Sequence, residues 1–211
     1  MGKISQNILG NISGTVGNLV YVRRNGVSYV QRKPGPRTGE STPAQRIQQA
    51  RFGLLIKFLQ PLKGFLVVGF RDKRKLRSGM NLAVSYNIRD AITGTYPNLT
   101  IDPARITLSQ GRLPNAVAPA VSSTETGLIR FTWTNNSGIG GAQAEDKAML
   151  VACIPALRQA KYNCKGAPRN KQEDILVVPE FSGMKVETYI SFVAENGITA
   201  DSFYTGSVTV L

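Results

Sequence analysis

From Pro103 to the C terminus, apolar and polar residues alternate with a period of two in a series of short segments. No other feature constrains the fold as much. Eight candidate strands follow, over residues 105–109, 116–122, 128–135, 148–154, 159–165, 175–178, 186–195 and 203–211. In the third, Ile129, Phe131 and Trp133 face one way while Arg130, Thr132 and Thr134 face the other. In the seventh, Val186, Thr188, Ile190 and Phe192 alternate with Glu187, Tyr189 and Ser191. Short strands at this spacing, with a tryptophan early in the set, predict an immunoglobulin- or fibronectin-like antiparallel β-sandwich over residues 103–211. Trp133 is then a core residue rather than a ligand platform.

The first 102 residues read differently. Leu19–Arg24 and Val27–Arg32 flank Asn25-Gly26, a pair suited to the two positive-φ positions of a type I′ turn, so a two-residue hairpin is expected. In that register Val22 faces Tyr29 and Tyr21 faces Val30. Before it, glycines 10, 14 and 17 argue for an irregular strand. After it, Pro34-Gly35-Pro36 makes an extended link. Thr42-Pro43-Ala44-Gln45 has the form of a helix start, with a cap, a proline at the first position and a capping box, and the helix is expected to end at Gln60. A second helix is expected over 79–93, stopped by Gly94. The predicted fold class is therefore mainly β with a helical N-terminal part. A hairpin-plus-helices domain covers 1–102, and the sandwich covers 103–211.

The charge follows the same division. Residues 1–105 carry 17 Lys/Arg against 4 Asp/Glu, whereas 106–211 carry 9 of each, so the whole net charge of +13 resides in the first half. Two clusters dominate it: Arg23, Arg24, Arg32, Lys33 and Arg37 around the hairpin, and Arg71, Lys73, Arg74, Lys75 and Arg77 between the helices. Such asymmetry points to a polyanion or to an acidic protein neighbour. Tyr21 and Tyr29 interleave with the first cluster and could stack on bases.

Catalytic chemistry finds little support. The chain has no histidine, which removes the common triads and the usual nitrogen ligand for zinc. Its carboxylates stand singly or in pairs such as Glu145-Asp146 and Glu173-Asp174, which read as solvated loop residues beside strands. Ser137–Gly141 is glycine-rich but no lysine follows, so it reads as a loop rather than a phosphate cradle. Two cysteines, Cys153 and Cys164, are expected to be reduced, with a single cross-link as the alternative. No catalytic residue, metal or cofactor is expected. The longest apolar run, over 65–70, is far short of a bilayer span, and the N terminus lacks a secretory signal. Synthesis in the cytoplasm without a membrane partner is therefore expected.

Several strings add a resemblance. Met1-Gly-Lys with the spaced glycines, Thr42-Pro-Ala-Gln45 leading into Ala50-Arg-Phe52, Ser85-Tyr-Asn87, Ala91-Ile-Thr-Gly-Thr-Tyr-Pro97 and Gly206-Ser-Val-Thr-Val210 resemble an uncharacterised family of about this length from Bacteroidota and their phages. The Thr-Pro-x-Gln pattern ahead of Arg-Phe is similar to one found in small phage virion proteins. The resemblance implies a structural role and carries no catalytic residue. The expected function is thus a non-enzymatic component of a virion or comparable assembly, a homo-oligomer anchored through its basic half to neighbouring subunits or nucleic acid. The alternatives are a sequence-independent nucleic-acid-binding protein and a surface adhesin or carbohydrate-binding module.

Overall fold

The structure, a computed structural model, describes residues 2–4, 13–24, 26–36, 39–71 and 77–211. The chain divides into two compact units, Met1–Thr42 and Pro43–Leu211. The division falls well before the boundary expected at 102/103, because the helices share a core with the sandwich.

The first unit is an antiparallel sheet of β1 (Gly2–Ile4), β2 (Gly14–Val16), β3 (Leu19–Arg24) and β4 (Val27–Arg32), in the order β1-β4-β3-β2. The β3–β4 register pairs Val22 with Tyr29 and Tyr21 with Val30, as the turn sequence predicts. Gly26 has φ +80°, a value a side chain rarely tolerates. Asn25 lies outside the described residues.

The second unit begins with α1 (Pro43–Leu59), continues through a 3-10 turn at Gln60–Leu62 into α2 (Lys63–Gly69), and then forms α3 (Gly79–Asp90). The helical run Pro43–Gly69 is long and apolar enough to cross a bilayer by length and composition alone. Lys57, Gln60, Pro61 and Lys63 interrupt its apolar stretch, so no continuous apolar run of that length is visible in the sequence. In this fold Leu55, Phe58, Leu59, Leu62, Phe65 and Leu66 are all buried in a core shared with the sandwich sheet. At the start of α3, Ser78 Oγ accepts a hydrogen bond from the Asn81 amide (3.2 Å), a side-chain cap.

The second helix ends at Asp90, earlier than expected, because Ile92–Thr95 (β5) leaves the helix to pair with Asn98–Ile101 (β6). Ala91 and Ile92 are buried and satisfy a helical or a strand pattern equally well. In the link 105–109, expected as a strand, Arg105 closes a 3-10 turn and the residues after it join no ladder. Side chains replace the missing neighbour: the Thr107 amide donates to Asn87 Oδ1 (2.7 Å) and the Leu108 amide to Ser202 Oγ (2.7 Å).

Seven strands make the sandwich: β7 (Val117–Ser122), β8 (Leu128–Thr134), β9 (Lys147–Ile154), β10 (Gln159–Asn163), β11 (Glu173–Val177), β12 (Lys185–Val193) and β13 (Phe203–Thr209). They form sheets ordered β10-β9-β12-β13 and β11-β8-β7, every pair antiparallel. This is an immunoglobulin/fibronectin-like sandwich. Ile129, Phe131, Trp133, Leu150, Ile190 and Phe192 pack between the sheets. On the opposite face of the larger sheet, Met149, Val151, Cys153 and Tyr189 pack against the helices. That sheet is therefore covered on both sides, which explains the near-continuous apolar run Ala148–Ile154.

Candidate docking surface of the N-terminal sheet

The ten expected basic residues divide between the two units. In the first, Arg23 opposes Ser28 one pair from the tip of the hairpin, Arg24 pairs with Val27 at the tip, and Arg32 and Lys33 stand at its base. Arg23, Arg32 and Lys33 are exposed. In the second unit, exposed Arg71 reaches Asn196 O at 3.5 Å, and Arg77 is exposed just before α3. Arg37, Lys73, Arg74 and Lys75 lie outside the described residues.

The base of the hairpin is shaped by one backbone contact. The Lys33 amide donates to Asn18 O (2.7 Å), holding the segment after β4 against the turn between β2 and β3. Beside it lies an open cavity of about 590 Å³ lined by Asn18, Arg32, Lys33, Pro34, Gly35 and Pro36. The lining contains no carboxylate, and Glu40 is the sole acidic residue in positions 1–42.

The sheet itself has an unusual composition for its burial. It carries Val16, Leu19, Val20, Tyr21, Val22, Val27, Tyr29 and Val30, yet no described residue of 13–42 is buried. Val16 is 62% exposed and Leu19, directly opposite in the register, is 43% exposed. Directly opposed residues share a face. One face thus presents Val16, Leu19, Tyr21 and Val30, and the other Val20, Val22, Val27 and Tyr29. Neither face is the polar one. A sheet of this size needs an apolar face packed against something to be stable.

The second unit hides a site that the sequence did not suggest. Arg169 is fully buried at one end of the sandwich. Its guanidinium lies 3.8 Å from the Phe192 ring centroid and pairs with Asp146 Oδ2 through Nε and one terminal nitrogen, each at 3.3 Å. It also donates to Asn136 Oδ1 (2.7 Å) and Pro114 O (2.9 Å), while Trp133 Nε1 donates to Arg169 O (2.8 Å). Burial pulls the guanidinium pKa below its ordinary value, and the charge of Asp146 opposes that shift. Asp146 is 2% exposed, so the reading of Glu145-Asp146 as a solvated pair is corrected for its second member. With every polar position occupied by protein, this network braces the fold and offers a ligand nothing.

Burial also pushes the Cys153 thiol up to about 12, with the Glu187 charge adding to the effect, and raises Cys164 less deeply in the fold. Both cysteines are free. A second open cavity, of about 540 Å³ and including Leu157, Arg158, Glu180 and Met184, has its carboxylate in an ion pair with Lys161 at 2.9 Å. Among the described residues, no group of three or more His, Cys, Asp or Glu could hold a metal ion.

A family of unknown function, DUF6266, matches residues 11–206. The chain belongs to this family. The match spans both compact units, so the basic arm and the sandwich are parts of one DUF6266 sequence rather than a private addition to it. Among solved structures, the DUF6266 chain is similar to the fn3 domain of human collagen alpha-1(XX) chain, at 14% identity and a TM-score of 0.37, covering 48% of this chain and 89% of that one. No curated protein matches it.

Proposed function

We propose that the chain is a non-enzymatic structural subunit of a multi-subunit assembly, of the kind that builds a phage particle, and that its N-terminal sheet docks on neighbouring copies. The observation that carries this reading is the sheet with apolar side chains on both faces and, among its residues of described burial, none that is buried. Full burial of a Val- or Leu-sized side chain contributes about 1.5–3 kcal/mol, so covering the half-exposed Val20, Val22, Val27 and Tyr29 of one face would stabilise an interface by something on the order of 5 kcal/mol. The edges support it too. In the sandwich, edge strand β7 is broken by a bulge at Ala118, φ +46°, followed by Pro119, a device that discourages strand addition. Edge strand β2, Gly-Thr-Val, carries neither charge nor proline. The sandwich then serves as the presented body, and the sheet as the anchor.

Light scattering on the full chain and on residues 43–211, the separate compact unit, tests the reading. The full chain should form a defined oligomer and the truncated chain a folded monomer. A monomeric full chain, or a truncated chain of unchanged oligomeric state, contradicts it.

A further inference from the structure

One face of the N-terminal sheet combines features that the anchoring role does not use. In the β3–β4 register Leu19 opposes Arg32, Tyr21 opposes Val30 and Arg23 opposes Ser28. Arg32, Tyr21 and Arg23 therefore lie in a row on one face, with the tyrosine between two guanidinium groups. Four residues of extended strand separate the ends, about 13 Å. Asn18 and Lys33 follow as the next pair at the base of the hairpin, where the cavity lined by Arg32, Lys33 and Pro34–Pro36 opens.

Four cations of the second unit are held in ion pairs: Arg130 with Glu173 (2.7 Å), Lys161 with Glu180 (2.9 Å), Arg105 with Asp102 (3.2 Å) and Arg169 with Asp146 (3.3 Å). Arg23, Arg32 and Lys33 are exposed, and no ion pair to a described carboxylate holds them. Positive charge without internal counter-charge, arranged around an aromatic ring, matches the needs of a single nucleic-acid strand: phosphates for the cations and a base face for the ring. An acidic protein surface would use the charges and leave the ring without a role.

We propose that the Arg23–Tyr21–Arg32 face, with Lys33 in the cavity at its base, binds single-stranded nucleic acid, with a backbone phosphate seated in that cavity and a base stacked on Tyr21. The proposal rests on the reading of the sheet as a docking element and adds the chemical class of a second partner to it. Contact is sequence-independent, since the face offers cations and a ring but no set of donors and acceptors arranged to read base edges.

The test is fluorescence anisotropy of a labelled twenty-nucleotide oligothymidylate with the full chain, alongside a duplex of equal length and poly-glutamate as competitor, with light scattering in parallel. Wild type should bind the single strand, and Arg23→Ala/Arg32→Ala/Lys33→Ala should bind at least tenfold more weakly. The slope of log K against log salt should flatten by about 2, near 0.7 for each lost phosphate contact. Tyr21→Leu, which keeps the apolar area, should weaken single-strand binding several-fold and leave duplex binding unchanged. Lys165→Ala/Lys171→Ala/Lys185→Ala, the same charge change on the second unit, should stay within twofold of wild type. Absence of single-strand binding at low salt, binding by the arm variant within twofold of wild type, or competition by poly-glutamate equal to that by oligothymidylate each overturns the proposal. An unchanged oligomer in those cases leaves the assembly reading standing, so the two failures are distinguishable.

Discussion

Asn87 and Thr107 exchange two hydrogen bonds of 2.7 Å, the side-chain amide of α3 taking the place of a strand neighbour for the backbone of the link. Asn87 Nδ2 also donates to Ala83 O at 2.8 Å, and the residue is 1% exposed. This amide ties α3 to the link that leads into the sandwich. Asn87→Ala leaves the part-buried amide and carbonyl of Thr107 without these partners, so unfolding free energy should fall by about 2 kcal/mol. Urea denaturation of residues 43–211 measures it, and a loss below about 1 kcal/mol would show that the link is held by other contacts.

The Arg169–Asp146 pair should behave as a buried charge network. Removing one partner strands the other, so Asp146→Ala should cost about 3–5 kcal/mol. Arg169→Met, which removes the charge at Arg169 but leaves Asp146 buried, should be damaging as well. Trp133 is the sole tryptophan and its indole donates to Arg169 O, so its fluorescence reports the site directly. A shifted emission maximum in the folded variants is expected; unchanged emission and stability would mean the network is dispensable.

Two glycines give opposite expectations. A Cβ at Gly111 would sit 1.7 Å from Thr199 O, against backbone that cannot yield, so Gly111→Ala should destabilise by several kcal/mol. Gly53 is inside α1 with nothing within 4 Å, so Gly53→Ala should stabilise by about 0.5–1 kcal/mol through helix propensity. Melting temperatures of the two variants should move in opposite directions.

The Cys153 thiol is raised from 9.0 to about 12, chiefly by burial, which keeps it neutral in the folded state. The unfolded state then loses its proton first as pH rises, so this contribution is complete below pH 9 and is lost progressively from pH 9 to about 12. Cys153→Ala should flatten the decline in stability over that window. At pH 8 a thiol reagent should modify the half-buried Cys164 of the native chain and reach Cys153 only on unfolding. Rapid labelling of both thiols in the native protein would contradict the burial of Cys153.

The strands were legible in the sequence where one face is solvated. β8 alternates cleanly because its outer residues Arg130 and Thr132 are only part-buried. The hairpin register was legible because an Asn-Gly turn fixes it. The helix-covered face of the larger sheet was not, since Tyr189 and Ser191 read as outward residues and are fully buried. The signal lay in β9, whose unbroken apolar run betrays burial on both faces. Arg169 gave no signal at all: an arginine after a proline in a loop is ordinarily solvated, and nothing local marks its distant partner Asp146. The cations of the hairpin were legible from charge alone, whereas the arrangement of Arg32, Tyr21 and Arg23 on one face needed the register.

Amide hydrogen exchange measured across protein concentration tests most directly whether another copy of the chain completes the N-terminal sheet. Amides of Gly14–Val16, Leu19–Arg24 and Val27–Arg32 should exchange rapidly at dilutions where the chain is monomeric and become protected as it assembles, while β8, β9 and β12 stay protected throughout. Protection in the N-terminal sheet that is the same at every concentration would contradict it.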